Sequence, residues 1–197
     1  MKTILFGTRT AAVVLFSIVW GSLRVLLWPL AWVAQEQDRR LHAWMLSTWA
    51  RVFLWLGGVR VRREGVPPAR PCFLVCNHVS WIDILVVTSQ VGSIFIARAD
   101  IADWFLVGPL AKAGRSLFIK AGNLRDIKRA QESIRQCVED GYSICIFPEG
   151  GIPQENAIAE FKPALIEVAV RQGWPVHYGA LVYHTHEKAP PPDESVH

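Results

Sequence analysis

Cys72-Phe73-Leu74-Val75-Cys76-Asn77-His78-Val79-Ser80-Trp81-Ile82-Asp83 runs from an uninterrupted apolar segment into a polar stretch and then toward the apolar Ile84-Leu85-Val86-Val87. A short apolar run closed by polar residues predicts a buried strand. Ser80 is a good N-cap, and Ser80-x-x-Asp83 reads as a capping box opening a helix. His78 and Asp83 stand five positions apart. On an unbroken helix that spacing corresponds to about 140° of rotation, and on a strand it points to opposite faces. The two side chains therefore meet only if the chain turns between them, as it does where a strand hands over to a helix. Taken alone, the pair fits an ordinary loop histidine beside a capping aspartate better than a catalytic pair.

The same alternation continues along the chain. Residues 59–63 read as an edge strand, and 72–76, 94–97, 117–119, 143–147 and 176–183 as further strands. Helical patterns fall between them at 81–90, 101–113 (broken near Gly108-Pro109), 124–140 and 157–171. The third of these is the clearest, with Ile127, Ala130, Ile134, Cys137 and Val138 on one side and Gly141 as its stop. Strand–helix alternation implies an α/β fold with a mostly parallel sheet flanked by helices. Ligand sites in such sheets gather at the carboxyl ends of the strands. His78 follows one predicted strand, and Phe147-Pro148-Glu149-Gly150-Gly151 ends another, so both fall on that edge. The block around Glu149 is also compatible with an ordinary turn.

The first 58 residues differ in character. Six of the nine tryptophans lie before residue 56, and residues 4–34 carry only two charges, Arg9 and Arg24. Tryptophan favours the water–lipid boundary, having an apolar body and a polar N–H. Residues 41–56 place Leu41, Trp44, Met45, Thr48, Trp49, Val52, Phe53 and Leu56 on one broad face, leaving His42, Ser47 and Arg51 to the polar remainder. Together these predict a membrane-associated helical pair over 1–58, an α/β domain over 59–188 and a Pro-rich tail over 189–197. Hydrophobic residues make up 51% of the chain, with mean hydropathy +0.23.

The formal charge of +4 suits anionic lipid surfaces or substrates. No groove-reading motif is present, so no nucleic-acid partner is expected. Cys72, Cys76, Cys137 and Cys145 lack metal-ligand spacing and read as small core residues in a reducing compartment. His184-x-His186 alternates on one strand face but has no third ligand at convincing spacing, so no metal is expected.

Asn77-His78, four residues and Asp83, followed downstream by Phe147-Pro148-Glu149-Gly150, resembles the glycerolipid acyltransferase family over roughly residues 59–183. Either block alone is weak; the two in order are specific. The resemblance implies a glycerol-3-phosphate acyltransferase-like fold and His78 as general base with Asp83 as its orienting partner. It also implies acceptor binding through Asn77, Phe147, Pro148, Glu149, Gly150 and Gly151. Arg98, in Ile96-Ala97-Arg98-Ala99-Asp100, matches the family's first basic place. Then the chain departs: Lys120 stands where an aspartate is usual, Ala121 where a phosphate-binding arginine is usual, and Gly151-Ile152-Pro153 where threonine-arginine-serine is common. Lys120 or Arg125 is left to supply the cation.

The implied activity is acyl transfer from a thioester (acyl-CoA or acyl carrier protein, with no other cofactor) to the hydroxyl of a lyso-glycerophospholipid. The leading expectation is 1-acyl-glycerol-3-phosphate giving phosphatidic acid. The rivals are a lyso-aminolipid, glycerol-3-phosphate, another lyso-phospholipid, or a non-catalytic lipid-binding membrane protein. The implied location is the cytoplasmic face of the inner membrane. The chain ends soon after the last matching block, which leads one to expect a reduced final part of the sheet.

Overall fold

The computed structural model describes residues 2–27, 29, 33–105, 107–120, 124–152 and 160–184. The expected Pro-rich tail, Trp28, Trp32, Ala121 and His186 lie outside them. Five short strands form one sheet: β1 (Phe73–Cys76), β2 (Ile94–Arg98), β3 (Leu117–Ile119), β4 (Ile144–Ile146) and β5 (Val176–Gly179). Their order is β3-β2-β4-β1-β5, and every pairing is parallel. The helices are α1 (Lys2–Leu26), α2 (Gln35–Leu56), α3 (Ile82–Val91), α4 (Val107–Ala113), α5 (Leu124–Glu139) and α6 (Glu167–Gln172). Single 3-10 turns occupy Ala99–Asp103 and Pro163–Leu165.

The period-two alternation of strand side chains divides the core into two layers. Phe73, Val75, Ile94, Ile144 and Ile146 face one way, against Ile134 of α5 and Val168 and Ala169 of α6. Cys72, Leu74, Cys76, Phe95 and Cys145 face the other way, against Val87 and Val91 of α3. Full burial of such side chains is worth about 1.5–3 kcal/mol each, and Ile134, Ile144 and Cys145 are fully buried. The cysteines are free, as small core residues should be.

Several elements differ from the sequence expectation. The helix expected over 157–171 is, among the described residues, non-helical at 160–162, a 3-10 turn at Pro163–Leu165 and α-helical only from Glu167, because the residue before a proline disfavours the helical backbone. The strand expected over 176–183 ends at Gly179. Residues 59–63 are not a strand; Arg60, Arg62 and Arg63 point into solvent, and a lone alternating run has no ladder to join. The break expected at Gly108-Pro109 falls instead at Trp104 and Phe105, and Pro109 sits in the first turn of α4. There its missing N–H leaves no helical hydrogen bond unmade.

The second helix corrects the reading of the N-terminal part. His42 and Ser47, assigned by pattern to the polar side, are buried, as is Asp38 one turn earlier, whereas Trp44 and Trp55 are exposed. α2 packs across α3. Gly92, with φ +63, caps α3, and a Cβ there would lie 2.6 Å from the carbonyl oxygen of Ala43. Only glycine permits both that backbone and that approach. Arg51 donates to the Ser89 carbonyl at 2.9 Å, fastening the same pair of helices.

α1 is long and apolar enough to cross a membrane, from Gly7 to Leu26. It is tied to α2 by polar groups. Trp20 Nε1 donates to the Met45 carbonyl at 2.9 Å, Trp49 Nε1 donates to Ser17 Oγ at 3.0 Å, and Arg24 pairs with Asp38 at 2.7 Å. Two of the tryptophans thus spend their N–H groups inside the protein, while Val14, Leu15, Ile18 and Val19 remain exposed on α1.

Candidate active site

All five strands run the same way, so their carboxyl ends share one edge. His78 follows β1, Arg98 ends β2, Lys120 follows β3, and Phe147 to Gly151 follow β4. The turn after β1 brings His78 back toward the first turn of α3, where Asp83 sits. His78 Nδ1 lies 2.8 Å from Asp83 Oδ2. Oδ2 also accepts the backbone N–H of Val79 at 2.6 Å and that of Ser80 at 2.8 Å. The Ser80 contact is the acidic half of the expected capping box. Ser80 Oγ supplies only a long contact to the Ile82 N–H, at 3.4 Å.

Asp83 is fully buried and yet well partnered. Burial pushes its carboxyl up; the bonds from His78, from the Tyr183 hydroxyl and from the two backbone N–H groups outweigh it and hold the carboxyl below its ordinary value. A carboxylate can only accept, so Nδ1 carries the proton and Nε2 is left as the basic nitrogen. The imidazole stacks on Phe147, with centroids 4.2 Å apart and planes 14° from parallel, and Phe147 stacks in turn on Phe95. The ring is therefore fixed both in its plane and by its edge.

Glu149 joins from the second block. Its Oε1 accepts the backbone N–H of His78 at 3.1 Å, and its Oε2 is buried without a hydrogen-bond partner. Gly150 follows with φ +77, and a Cβ on it would lie 3.0 Å from Lys162 Nζ. Pro148 is buried and its carbonyl accepts the Lys162 N–H at 2.8 Å, while Gly151 is exposed. Asn77 clasps the segment beyond β5: its side chain donates to the Leu181 carbonyl at 3.0 Å and accepts the Leu181 N–H at 2.7 Å.

The structure thus gathers His78, Asp83, Asn77, Phe147 and Glu149 around one point. Arg98 is not among them. Its guanidinium forms two 3.0 Å bonds to Asp100 on an exposed surface. Lys120 is exposed just past β3. Two groups were missed from sequence. Lys162 is brought beside Gly150 by the chain's return after residue 160, and Tyr183 donates to Asp83 Oδ1 across 100 residues. Neither belongs to a block of recognisable spacing.

A family model described as acyltransferase matches residues 58–178. The chain is 32% identical over 146 residues to the lyso-ornithine lipid O-acyltransferase of Rhizobium meliloti, covering 74% of this chain and 50% of that protein. It is 28% identical over 127 residues to the 1-acyl-sn-glycerol-3-phosphate acyltransferase of Neisseria gonorrhoeae, covering 64% and 50%. The chain spans about half the length of the curated relatives it matches. Its fold is similar to the crystal structure of the 1-acyl-sn-glycerophosphate acyltransferase from Thermotoga maritima. There the TM-score is 0.66 at 21% identity, covering 89% of this chain and 73% of that one.

Proposed function

This chain belongs to the acyltransferase family, and on that premise we propose that it moves a fatty acyl group from a thioester to the free hydroxyl of a lyso-lipid at a membrane surface. The observation that carries the reading is the 2.8 Å contact between His78 and Asp83, with Nε2 left as the basic nitrogen. A neutral alcohol is a poor nucleophile and needs a base. His78 Nε2 takes the hydroxyl proton as the oxygen attacks the thioester carbonyl. Asp83 stabilises the imidazolium, as the aspartate does in a serine-protease triad, with the substrate supplying the hydroxyl. The attack forms the ester C–O bond; collapse of the tetrahedral intermediate restores the carbonyl, breaks the C–S bond and returns the proton from His78 to the departing thiolate. The donor is acyl-CoA or an acyl carrier protein thioester. The four free cysteines fit a reducing cytoplasmic face.

Two acceptors divide the reading. A phosphomonoester such as 1-acyl-glycerol-3-phosphate calls for a planar, bidentate cation. Arg98 faces Asp100 on an exposed surface away from His78, and Ala121 stands at the place where the resemblance expects arginine. A lyso-aminolipid, the acceptor in the name of the Rhizobium meliloti relative, makes no such demand and is the reading favoured here. The test incubates the chain in mixed micelles with labelled acyl-CoA or acyl carrier protein and, separately, lyso-ornithine lipid and 1-acyl-glycerol-3-phosphate. Wild type transfers the label to the aminolipid, and His78→Ala loses roughly 10²–10⁴ of the rate. Undiminished transfer by His78→Ala would remove the mechanism; preference for the phosphate acceptor would reverse the choice of head group.

A further inference from the structure

We propose that Tyr183 is a positioning residue for the His78–Asp83 pair, carried to it by the segment that follows β5. The three donors described above converge on one oxygen of Asp83: His78 Nδ1 and the N–H groups of Val79 and Ser80 all reach Oδ2. Oδ1 is left to the Tyr183 hydroxyl. Asp83 is fully buried, so without that hydroxyl Oδ1 is an unsatisfied acceptor. Tyr183 is not held by this bond alone. Asn77 clasps Leu181 in both directions, and the Leu181 side chain packs on the apolar layer of Val87, Val91 and Phe95. The hydroxyl is thus delivered by a segment anchored twice before it reaches the carboxylate.

The consequence is chemical as well as structural. A phenol donating to Oδ1 withdraws charge from the carboxylate and fixes its plane. Without it the carboxylate is more basic, pulls harder on the Nδ1 proton and stabilises the imidazolium more. Burial, and after it the bond to Asp83, push the Tyr183 phenol well above its ordinary value, so it stays a donor throughout the working range. Among the described residues, the other ionisable groups around the carboxylate are Cys76 on β1 and Cys145 on β4, with Glu149 bonded to the His78 backbone. Burial and the neighbouring thiol Cys76 push Cys145 far up; Cys76 is pulled down by its bond to Cys145. A shift in the acid limb of the rate profile is therefore diagnostic only as the difference between wild type and variant.

The inference rests on the acyl-transfer reading for its kinetic readout and on geometry alone for its spectroscopic one. Tyr183→Phe removes only the hydroxyl. The freed carboxylate no longer holds the imidazole in one plane, and that loss of orientation outweighs the stronger base: we expect kcat to fall about tenfold with both KM values unchanged, and the acid limb of the kcat profile to move to higher pH. The His78 imidazole, followed by NMR titration in micelles, should move upward with it. A wild-type rate and an unmoved His78 titration overturn the proposal. So does a fall in rate matched by lost thermal stability with an unmoved titration, which marks a merely structural role. Should Tyr183→Phe fail to fold, 3-fluorotyrosine placed at 183 keeps the bond with a stronger donor. The His78 titration then moves downward, and no movement overturns the proposal. If wild type transfers no acyl group to any acceptor, the functional reading falls, while the His78 titration still decides the role of Tyr183.

Discussion

Glu149 Oε1 accepts the backbone N–H of His78 at 3.1 Å, so a side chain set at the end of one strand holds the main chain at the end of its neighbour. That bond makes two sequence blocks, 71 residues apart, into one object. Glu149→Ala leaves the His78 N–H without a partner in a half-buried turn, at a cost of about 1–3 kcal/mol. Glu149→Gln keeps an acceptor and replaces only the unpartnered Oε2. The expected outcome is a lowered melting temperature for the alanine variant and a near-normal one for glutamine, with acyl transfer reduced in both. Full activity of Glu149→Gln would place Oε2 outside the chemistry.

His42 gives the fold an acid sensitivity that is separate from the site. Burial, with the cations Arg115 and Arg24 nearby, lowers its pKa from 6.5 to about 3. The folded protein holds His42 neutral where the unfolded chain takes up a proton, so stability falls as pH drops from 6.5 toward 3 and is unaffected above that window. The slope from this one group is at most about 1.4 kcal/mol per pH unit. His42→Phe keeps a ring edge-on to Tyr142 and should remove that slope. Denaturant unfolding in micelles, followed from neutral pH down to just above the range where Asp83 titrates, measures the difference. Equal slopes in the two proteins would refute it.

Arg24 and Asp38 carry the join between the apolar helix and the rest. Their 2.7 Å pair is mostly buried, and Arg115 approaches the same carboxylate at 3.5 Å from the other side. Removing one partner of a buried pair typically costs about 3–5 kcal/mol, while replacing both with apolar residues is often close to neutral. Asp38→Leu should therefore destabilise strongly, and Arg24→Met added to it should restore most of the loss, because Arg115 is partly exposed and can turn to water. Thermal melting of the two single variants and the double variant closes the cycle. Additive losses would mean that the pair is not coupled.

These cases mark where sequence reading stops. The apolar run before Asn77, the helix over 124–140 and the strand at 117–119 were legible because period and punctuation are local properties. The His78–Asp83 contact was legible because the punctuation between an apolar strand and a helix start supplies the turn that a five-residue spacing needs. The buried face of α2 was not: Asp38, His42 and Ser47 look like solvent residues unless their partners are known, and Arg24, Arg115 and Tyr142 come from three other segments. Tyr183 was equally hidden, since a hydroxyl reaching an aspartate 100 residues away leaves no pattern in the chain between them.

Asn77 offers the sharpest check on how that distant segment is held. Its amide bonds Leu181 in both directions, donating at 3.0 Å and accepting at 2.7 Å, so it behaves as one more rung of the parallel pairing between β1 and β5. Asn77→Ala deletes the rung and leaves a backbone donor and acceptor to find water. The loss of about 1–3 kcal/mol should fall locally, on residues 180–184, because the paired strands beneath keep their own ladder. Hydrogen exchange read by mass spectrometry should then quicken in that segment while β1 and β4 stay protected. Asn77→Asp retains the acceptor for the Leu181 N–H but not the donor, and should fall between alanine and wild type. Global acceleration in the alanine variant would mean that Asn77 supports the whole sheet; unchanged exchange would mean that the apolar contacts of Leu181 suffice to hold the segment in place.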